Sequence, residues 1–314
     1  VLGRLARNWF LTGTSGMMVS DVATPYPQLG LEFRFWRFAL RSFTGELDAF
    51  DGRKRYVSAH RIDYQMPNFV VSFGESNLYA PQSGALSLRF LNPLEPLFFD
   101  ADNQPNDATQ NLMLDLQAWY RTGGLTLYGE ALLDDIDVAP EGVAEPPVYG
   151  ITLGMRVASV TPWLGLGAEY QQVSAWSYRT PNLIDEYSYL RRGLGQNYSD
   201  YDRLSVSADL FPPLRGLRLT PVLQFQRQGE GNFRDSMPGG AYAGQPAIFL
   251  GVKETTYRAG LQGRYQPVRF VWIGWDLGAN VIRNRDHVDG ADETVFTGVA
   301  ELGFRLDFPF RRPE

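Results

Sequence analysis

The chain has 314 residues, of which 44% are apolar and 14% aromatic, and its 29 basic against 35 acidic side chains leave a net charge of −6. That aromatic content excludes a disordered chain, and without a basic tract to neutralise phosphates nucleic acid is excluded as a partner. There is no cysteine, and His60 and His287 are the only histidines, which excludes a disulfide framework, a thiolate metal site and a histidine-based metal site or triad.

No run approaches the roughly 20 consecutive apolar residues of a membrane-crossing helix. A membrane barrel is compatible with the slightly negative mean hydropathy, because its strands alternate lipid-facing and lumen-facing residues. No signal peptide opens the sequence, so an exported chain is expected to be a mature or truncated form.

In chain order, less regular strands are expected near 27 to 36, 38 to 48, 55 to 64 and 69 to 76, with residues 8 to 20 as the strand that precedes them. Period-two alternation then becomes clear. Leu112, Leu114, Leu116, Ala118 and Tyr120 share a face opposite Asn111, Asp115 and Gln117. Across the turn Thr122-Gly123-Gly124, the residues Leu125, Leu127, Gly129, Ala131 and Leu133 oppose Thr126, Tyr128, Glu130 and Asp134, completing a hairpin. Tyr149 to Val157 and Leu164 to Tyr170 repeat the unit around Val160-Thr161-Pro162. So do Leu204 to Leu210, Leu217 to Gln226, Tyr257 to Tyr265, Val271 to Val281 and a last strand at 294 to 308.

Short turns fall near 36 to 38, 65 to 68, 121 to 124, 159 to 162, 211 to 216 and 266 to 268. Longer connections alternate with them at 49 to 54, 77 to 108, 136 to 147, 174 to 200, 227 to 254 and 284 to 293. A membrane barrel keeps this order because its periplasmic ends are tight and its extracellular ends elaborated, whereas a Greek-key sandwich has no reason to. The last strand presents Phe296, Gly298, Ala300, Leu302, Phe304, Leu306 and Phe308 on one face. Its end, Glu301 to Phe308, resembles the terminal signal read by the bacterial barrel-assembly machinery. The fold expected over 1 to 314 is therefore one all-β domain. It is a transmembrane antiparallel up-and-down β-barrel of about 14 strands, with long extracellular loops and 77 to 108 as a long loop or lumen plug.

Several segments resemble the Wzi-type capsule-assembly family of outer-membrane barrels. These are Gly3-Arg4, Trp9, Gly13, Gly16, Ser20-Asp21, His60-Arg61-Ile62-Asp63, Phe73 to Tyr79, Phe90 to Leu94, Asn103-Gln104, Leu127 to Asp135, Gly193-Leu194-Gly195, Asp200 and Asp202. The resemblance implies an outer-membrane location and a lectin-like role in holding capsular or extracellular polysaccharide at the cell surface. Members of that family are longer, so a complete parent is expected to carry roughly 16 to 18 strands, an even number as bacterial barrels have.

Loop aromatics Trp176, Tyr178, Tyr187, Tyr189 and Tyr198 are candidate sugar-stacking groups, with Tyr and Trp also suited to the membrane interface. Asn92, Asn103 and Gln104 are candidate glycan partners, or alternatively turn and cap residues of an inward-folded loop. Glu75, Asp115, Glu130, Asp134 and Asp135 form an acidic set expected to be balanced structurally by Arg34, Arg61 and Arg156. No nucleophile stands with a base, so catalysis is not expected, nor is a cofactor. The expected partners are outer-membrane lipid and lipopolysaccharide, surface polysaccharide, the barrel-assembly machinery and other envelope proteins. The alternatives to polysaccharide attachment are a porin-like channel and a structural subunit of a larger envelope assembly.

Overall fold

A computed structural model of the chain describes residues 1–12, 14–87, 90, 92, 94–97, 108–134, 146–237 and 244–305. Its main sheet has 14 antiparallel strands, each beside its neighbour in sequence, which is the up-and-down arrangement that the period-two pattern predicts. The strands are β1 (Leu2–Leu5), β2 (Tyr26–Phe35), β3 (Phe38–Glu46), β4 (Tyr56–Met66), β5 (Phe69–Pro81), β6 (Ala108–Thr122) and β7 (Leu125–Asp134). After them come β8 (Tyr149–Thr161) and β9 (Leu164–Val173). The connection that follows contains a small separate hairpin, β10 (Ser188–Tyr189) and β11 (Arg192–Gly193). The wall resumes with β12 (Tyr201–Leu210), β13 (Leu217–Gln228), β14 (Glu254–Val268), β15 (Val271–Arg283) and β16 (Glu293–Phe304). β1 and β16 end the sheet, and among the described residues no strand pairing joins them.

The strand expected at 8 to 20 is a correction. β1 pairs with β2 instead, Leu2 opposite Leu29 and Leu5 opposite Tyr26, and the chain then leaves the wall. The reason is local: the Asn8 side-chain oxygen accepts from the Phe10 and Gly16 backbone N–H groups at 3.0 and 3.1 Å, and Trp9 N–H donates to Val19 O at 3.1 Å. These bonds fold the segment back on itself rather than extending it.

Tight turns join β2 to β3, β4 to β5, β6 to β7, β8 to β9, β12 to β13 and β14 to β15, and all the long connections lie at the other end. Directly paired residues share a face, so the register separates two surfaces. One exposes Leu116, Leu133, Leu153, Leu204, Leu223, Leu277, Phe296, Leu302 and Phe304. The other buries Asp115, Gln117, Glu130, Asp134, Thr152 and Gln171. The terminal-strand face expected from sequence is the exposed one as far as Phe304, while Leu306 and Phe308 lie outside the described residues.

Two of the buried clusters among the described residues sit on opposite sides of this wall. The larger fills the lumen at the long-loop end, where Trp9, Met17, Met18 and Val19 join Tyr178, Tyr187, Tyr189 and Leu194 against Phe43, Val57, Leu78, Met113, Leu132 and Val173 of the strands. The smaller, made of Tyr56, Tyr79, Phe90 and Leu97 with Leu112 packed against it, lies on the outer face, because Tyr56, Tyr79 and Leu112 alternate with Val57, Leu78 and Met113. The described part of 77 to 108 is therefore not a lumen plug. It drapes over the outside, and residues 8 to 23 with the β9–β12 connection occupy the lumen.

Candidate functional site: a stoppered lumen

The segment between β1 and β2 hangs in the lumen on hydrogen bonds from several elements. Met17 N–H donates to Glu130 Oε1 of β7 at 2.9 Å. From the β9–β12 connection, Tyr178 OH donates to Met17 O at 2.7 Å and Tyr187 OH to Met18 O at 3.0 Å. The same connection supplies Gln196 Nε2, which donates to Gly16 O at 2.8 Å, and Leu194 O, which accepts Ser20 N–H at 2.9 Å. Contact is close enough to require glycine at 195, where a Cβ would fall 1.8 Å from Met17 O. Burial pushes the Tyr178 and Tyr187 phenols up from their ordinary values, with neighbouring Tyr201 adding to the shift at Tyr178. Both hydroxyls are thus held as neutral donors.

The connection that carries these tyrosines is itself anchored. Arg55, 2% exposed, donates to Asp48 O and Oδ1 at 3.1 Å each, Ile184 O at 3.3 Å, Glu186 O at 3.1 Å and Ser188 O at 2.6 Å. Arginine suits this role because its fork of donors stays charged and satisfies several carbonyls at once. Asn111 Nδ2 of β6 adds a bond to Asp185 O at 3.2 Å, and Tyr178 N–H donates to Asp134. Asp200, just before β12, accepts backbone N–H groups from Gly231 at 2.8 Å, from Leu250 at 3.0 Å and from Phe249. It ties the β13–β14 connection to the same rim, although burial raises its carboxyl above the usual range.

Beneath the stopper the tight-turn half of the lumen holds a cavity of about 640 Å³, reached from above by Thr14 of the plug. Its walls mix charges of both signs: Arg156, Arg203, Arg218 and Arg264 stand with Glu169, Asp209, Asp276 and Glu301. Arg218 pairs with Asp209 at 2.7 Å, and Arg258 pairs with Asp276 at 2.5 Å. Tyr128 OH donates to Glu169 at 2.8 Å, Arg203 donates to Gln171 at 2.8 Å, and Arg264 lies 4.9 Å over the Trp272 ring. The polar lining continues upward under the plug. Gln171 Nε2 reaches Thr152 Oγ1 at 3.2 Å, and Gln117 Nε2 reaches Asp115 at 2.6 Å and Glu130 at 3.3 Å.

The candidate sugar-stacking residues fall differently from expectation. Trp176, Tyr178, Tyr187 and Tyr189 are 3%, 1%, 0% and 5% exposed, so their rings are spent on packing, and Tyr198 alone, at 60%, presents a free surface. Their connection folds inward because its hydroxyls find carbonyl partners on the plug; Trp176 instead donates to Pro246 O at 3.1 Å and lies under Arg179. Asn92 is exposed on the outer drape, where it accepts Leu94 N–H at 3.2 Å, and Asn103, Gln104 and Asp135 lie outside the described residues. Of the acidic set, Asp115, Glu130 and Asp134 face the lumen, whereas Glu75 faces outward beside His60. Arg61 serves Asp63 at 2.5 Å, a partner the sequence reading did not assign.

The plug residues Met17 and Met18 and the clamp Arg55 were not singled out by sequence. One signal was present: Gly16, Ser20, Leu194 and Gly195, among the residues that carry the capsule-family resemblance, meet at the plug seat.

Fold and site together define a β-barrel whose lumen is closed at its long-loop end by its own chain. No family model matches the sequence, and no curated protein does. Among solved structures, the chain is similar to one titled "CymD monoaromatic hydrocarbon channel", at 11% identity and a TM-score of 0.37, covering 90% of this chain and 83% of that one.

Proposed function

We propose that the protein is a non-enzymatic outer-membrane channel whose N-terminal segment is a displaceable stopper. The observation that carries this reading is the polar inner wall, which runs from the charged cavity to Asp115, Gln117 and Glu130 beneath the plug. A wall built only to pack a permanent plug gains stability from apolar side chains, whereas buried carboxylates cost free energy unless the lumen also holds water. The cavity, about 640 Å³, has the capacity of a small-solute site. In this reading the exposed apolar face meets lipid and lipopolysaccharide, the long connections face outside the cell, and the terminal strand engages the assembly machinery.

The test is planar-bilayer conductance. Leu5 pairs with Tyr26, so deleting residues 8–23 leaves ends that Ala6, Arg7, Thr24 and Pro25 bridge without moving the wall. The intact chain is expected to be silent and the deletion variant to conduct steadily, with heat-modifiable migration preserved in both. A folded deletion variant that stays silent overturns the proposal.

A second reading, polysaccharide attachment of the capsule-family kind, draws support from the occluded lumen, since a barrel that holds a glycan needs no open pore. Tyr198 and Asn92 are the exposed candidates for that contact. Loss of surface polysaccharide on deletion of the whole gene, with a non-conducting plug-deletion variant, selects this reading over the channel.

A further inference from the structure

The outer surface of a membrane barrel is an unbroken apolar band about 25 Å tall, for which a tilted strand supplies about 9–11 residues. On β15 the outward positions Val271, Ile273, Trp275, Leu277, Ala279 and Val281 supply it in full. Three adjacent strands do not. On β4 the apolar outward positions end at Ile62, on β5 at Phe73 and on β3 at Leu40, about a third to a half of the length required.

Beyond those points the exterior becomes polar. One paired row reads Leu31, Ser42, His60, Glu75, Leu114 across β2 to β6, and the next reads Leu29, Thr44, Ser58, Asn77, Leu112. Each row is leucine at both flanks and polar in the three central strands, so the polar residues form an island within the apolar exterior rather than its upper limit. All six are 7% exposed or less, and described residues of the connection after β5, here the strap, lie on them. Leu97 N–H donates to Glu75 Oε1 at 2.9 Å, Thr44 Oγ1 to Phe90 O at 3.4 Å and Tyr56 OH to Gly84 O at 3.0 Å, while the Phe90 ring packs 4.2 Å from that of Tyr79. The outer side of this strap presents Leu94, 78% exposed, and Leu86, 37% exposed, with Ala85 and Pro96 exposed beside them and Gln82, Ser83 and Asn92 as its exposed polar residues.

We infer that the strap is a membrane-facing element, whose Leu86 and Leu94 meet lipid acyl chains and complete the apolar band that β3 to β5 leave unfinished. Its inner side satisfies the island's hydrogen bonds and its outer side continues the surface of Leu29, Leu31, Leu112 and Leu114. This rests on the membrane-barrel reading above. Lipid is the occupant favoured because the gap lies between two strands that are apolar at the same paired rows.

The chain has no cysteine, so a nitroxide can be placed at one position at a time. Leu94→Cys and Leu86→Cys, with Leu277→Cys on the far outer wall and Asp289→Cys in a long connection as references, are purified and reconstituted in phosphatidylcholine vesicles. Spin-label collision with oxygen and with a water-soluble nickel chelate is then measured. The labels at 94 and 86 are expected to match Leu277→Cys, with an oxygen-to-nickel ratio several-fold above that at Asp289→Cys. A water-like ratio at 94 and 86 with a lipid-like ratio at 277 overturns the strap inference and leaves the barrel in the membrane. A water-like ratio at 277 overturns the membrane reading itself. Shielding of 94 from both reagents means a protein surface covers the strap, and it also overturns the inference.

Discussion

Gly195→Ala addresses the stopper at its tightest contact. The added Cβ would stand 1.8 Å from Met17 O and 2.9 Å from Met17 C, both backbone atoms that no rotamer change can move. Relieving this to an ordinary carbon–oxygen distance separates the two segments by more than about 1 Å, beyond what hydrogen bonds near their ideal length tolerate. Three bonds cross that contact: Ser20 N–H to Leu194 O at 2.9 Å, Gln196 to Gly16 O at 2.8 Å and Tyr178 OH to Met17 O at 2.7 Å. At about 1 kcal/mol each, with about 1–3 kcal/mol for overpacking, the seated plug loses roughly 4–6 kcal/mol. At about 1.4 kcal/mol per tenfold, the ratio of seated to unseated plug falls by three orders of magnitude or more. In planar bilayers Gly195→Ala is expected to convert a silent barrel into one that opens repeatedly. The control Gly124→Ala, whose Cβ meets nothing closer than 4.0 Å, stays silent. The reasoning is refuted if Gly195→Ala migrates as a folded barrel and is as closed as the parent chain, with a cysteine at Met18 still protected from a small thiol reagent.

Arg55→Met removes the donors to Ile184 O, Glu186 O and Ser188 O, and a cost of about 3 kcal/mol is expected from the carbonyls left unpaired. Limited proteolysis checks it: new cleavage between 184 and 193 is expected, and resistance equal to that of the parent chain counts against the clamp. Because burial raises the Tyr178 and Tyr187 phenols, the stability they contribute as neutral donors is fully present below about pH 10 and declines only above it. The extra thiol labelling at Met18→Cys caused by adding Tyr187→Phe is therefore expected to be constant from about pH 6 to 9.5, and an excess that shrinks within that range contradicts it. For topology, Asp289→Cys is expected to react with an impermeant thiol reagent on intact cells and Gly124→Cys in a tight turn is not; the reverse pattern inverts the barrel.

Alternation alone located thirteen strands of the wall, because a strand between water-facing and lipid-facing environments must repeat every two residues. Connection lengths gave the two ends of the barrel for the same reason of local chemistry. The less regular strands are 27 to 36, 38 to 48, 55 to 64 and 69 to 76, and for the last three the structure supplies the cause. Their outward faces change from Leu40, Ile62 and Phe73 to Ser42, His60 and Glu75 under the strap, so the broken period was itself a signal of a covered exterior.

What alternation could not convey is the path of segments that leave the wall. Tyr178 and Tyr187 read as loop aromatics, and the same residues would serve equally well on a sugar, at a membrane interface or in a core. Their burial depends on carbonyls 161 and 169 residues away in sequence, at Met17 and Met18. Likewise nothing local in residues 8 to 20 points into the lumen. Their place there follows from Glu130, Tyr178, Tyr187 and Gln196 converging on one backbone stretch, an arrangement made only when the wall has curved. The wall was thus determined by sequence period, because each strand's two environments are set residue by residue. The stopper and the strap were decided by tertiary structure, since their hydrogen-bond partners are brought within reach only by the curved wall of paired strands that the period builds.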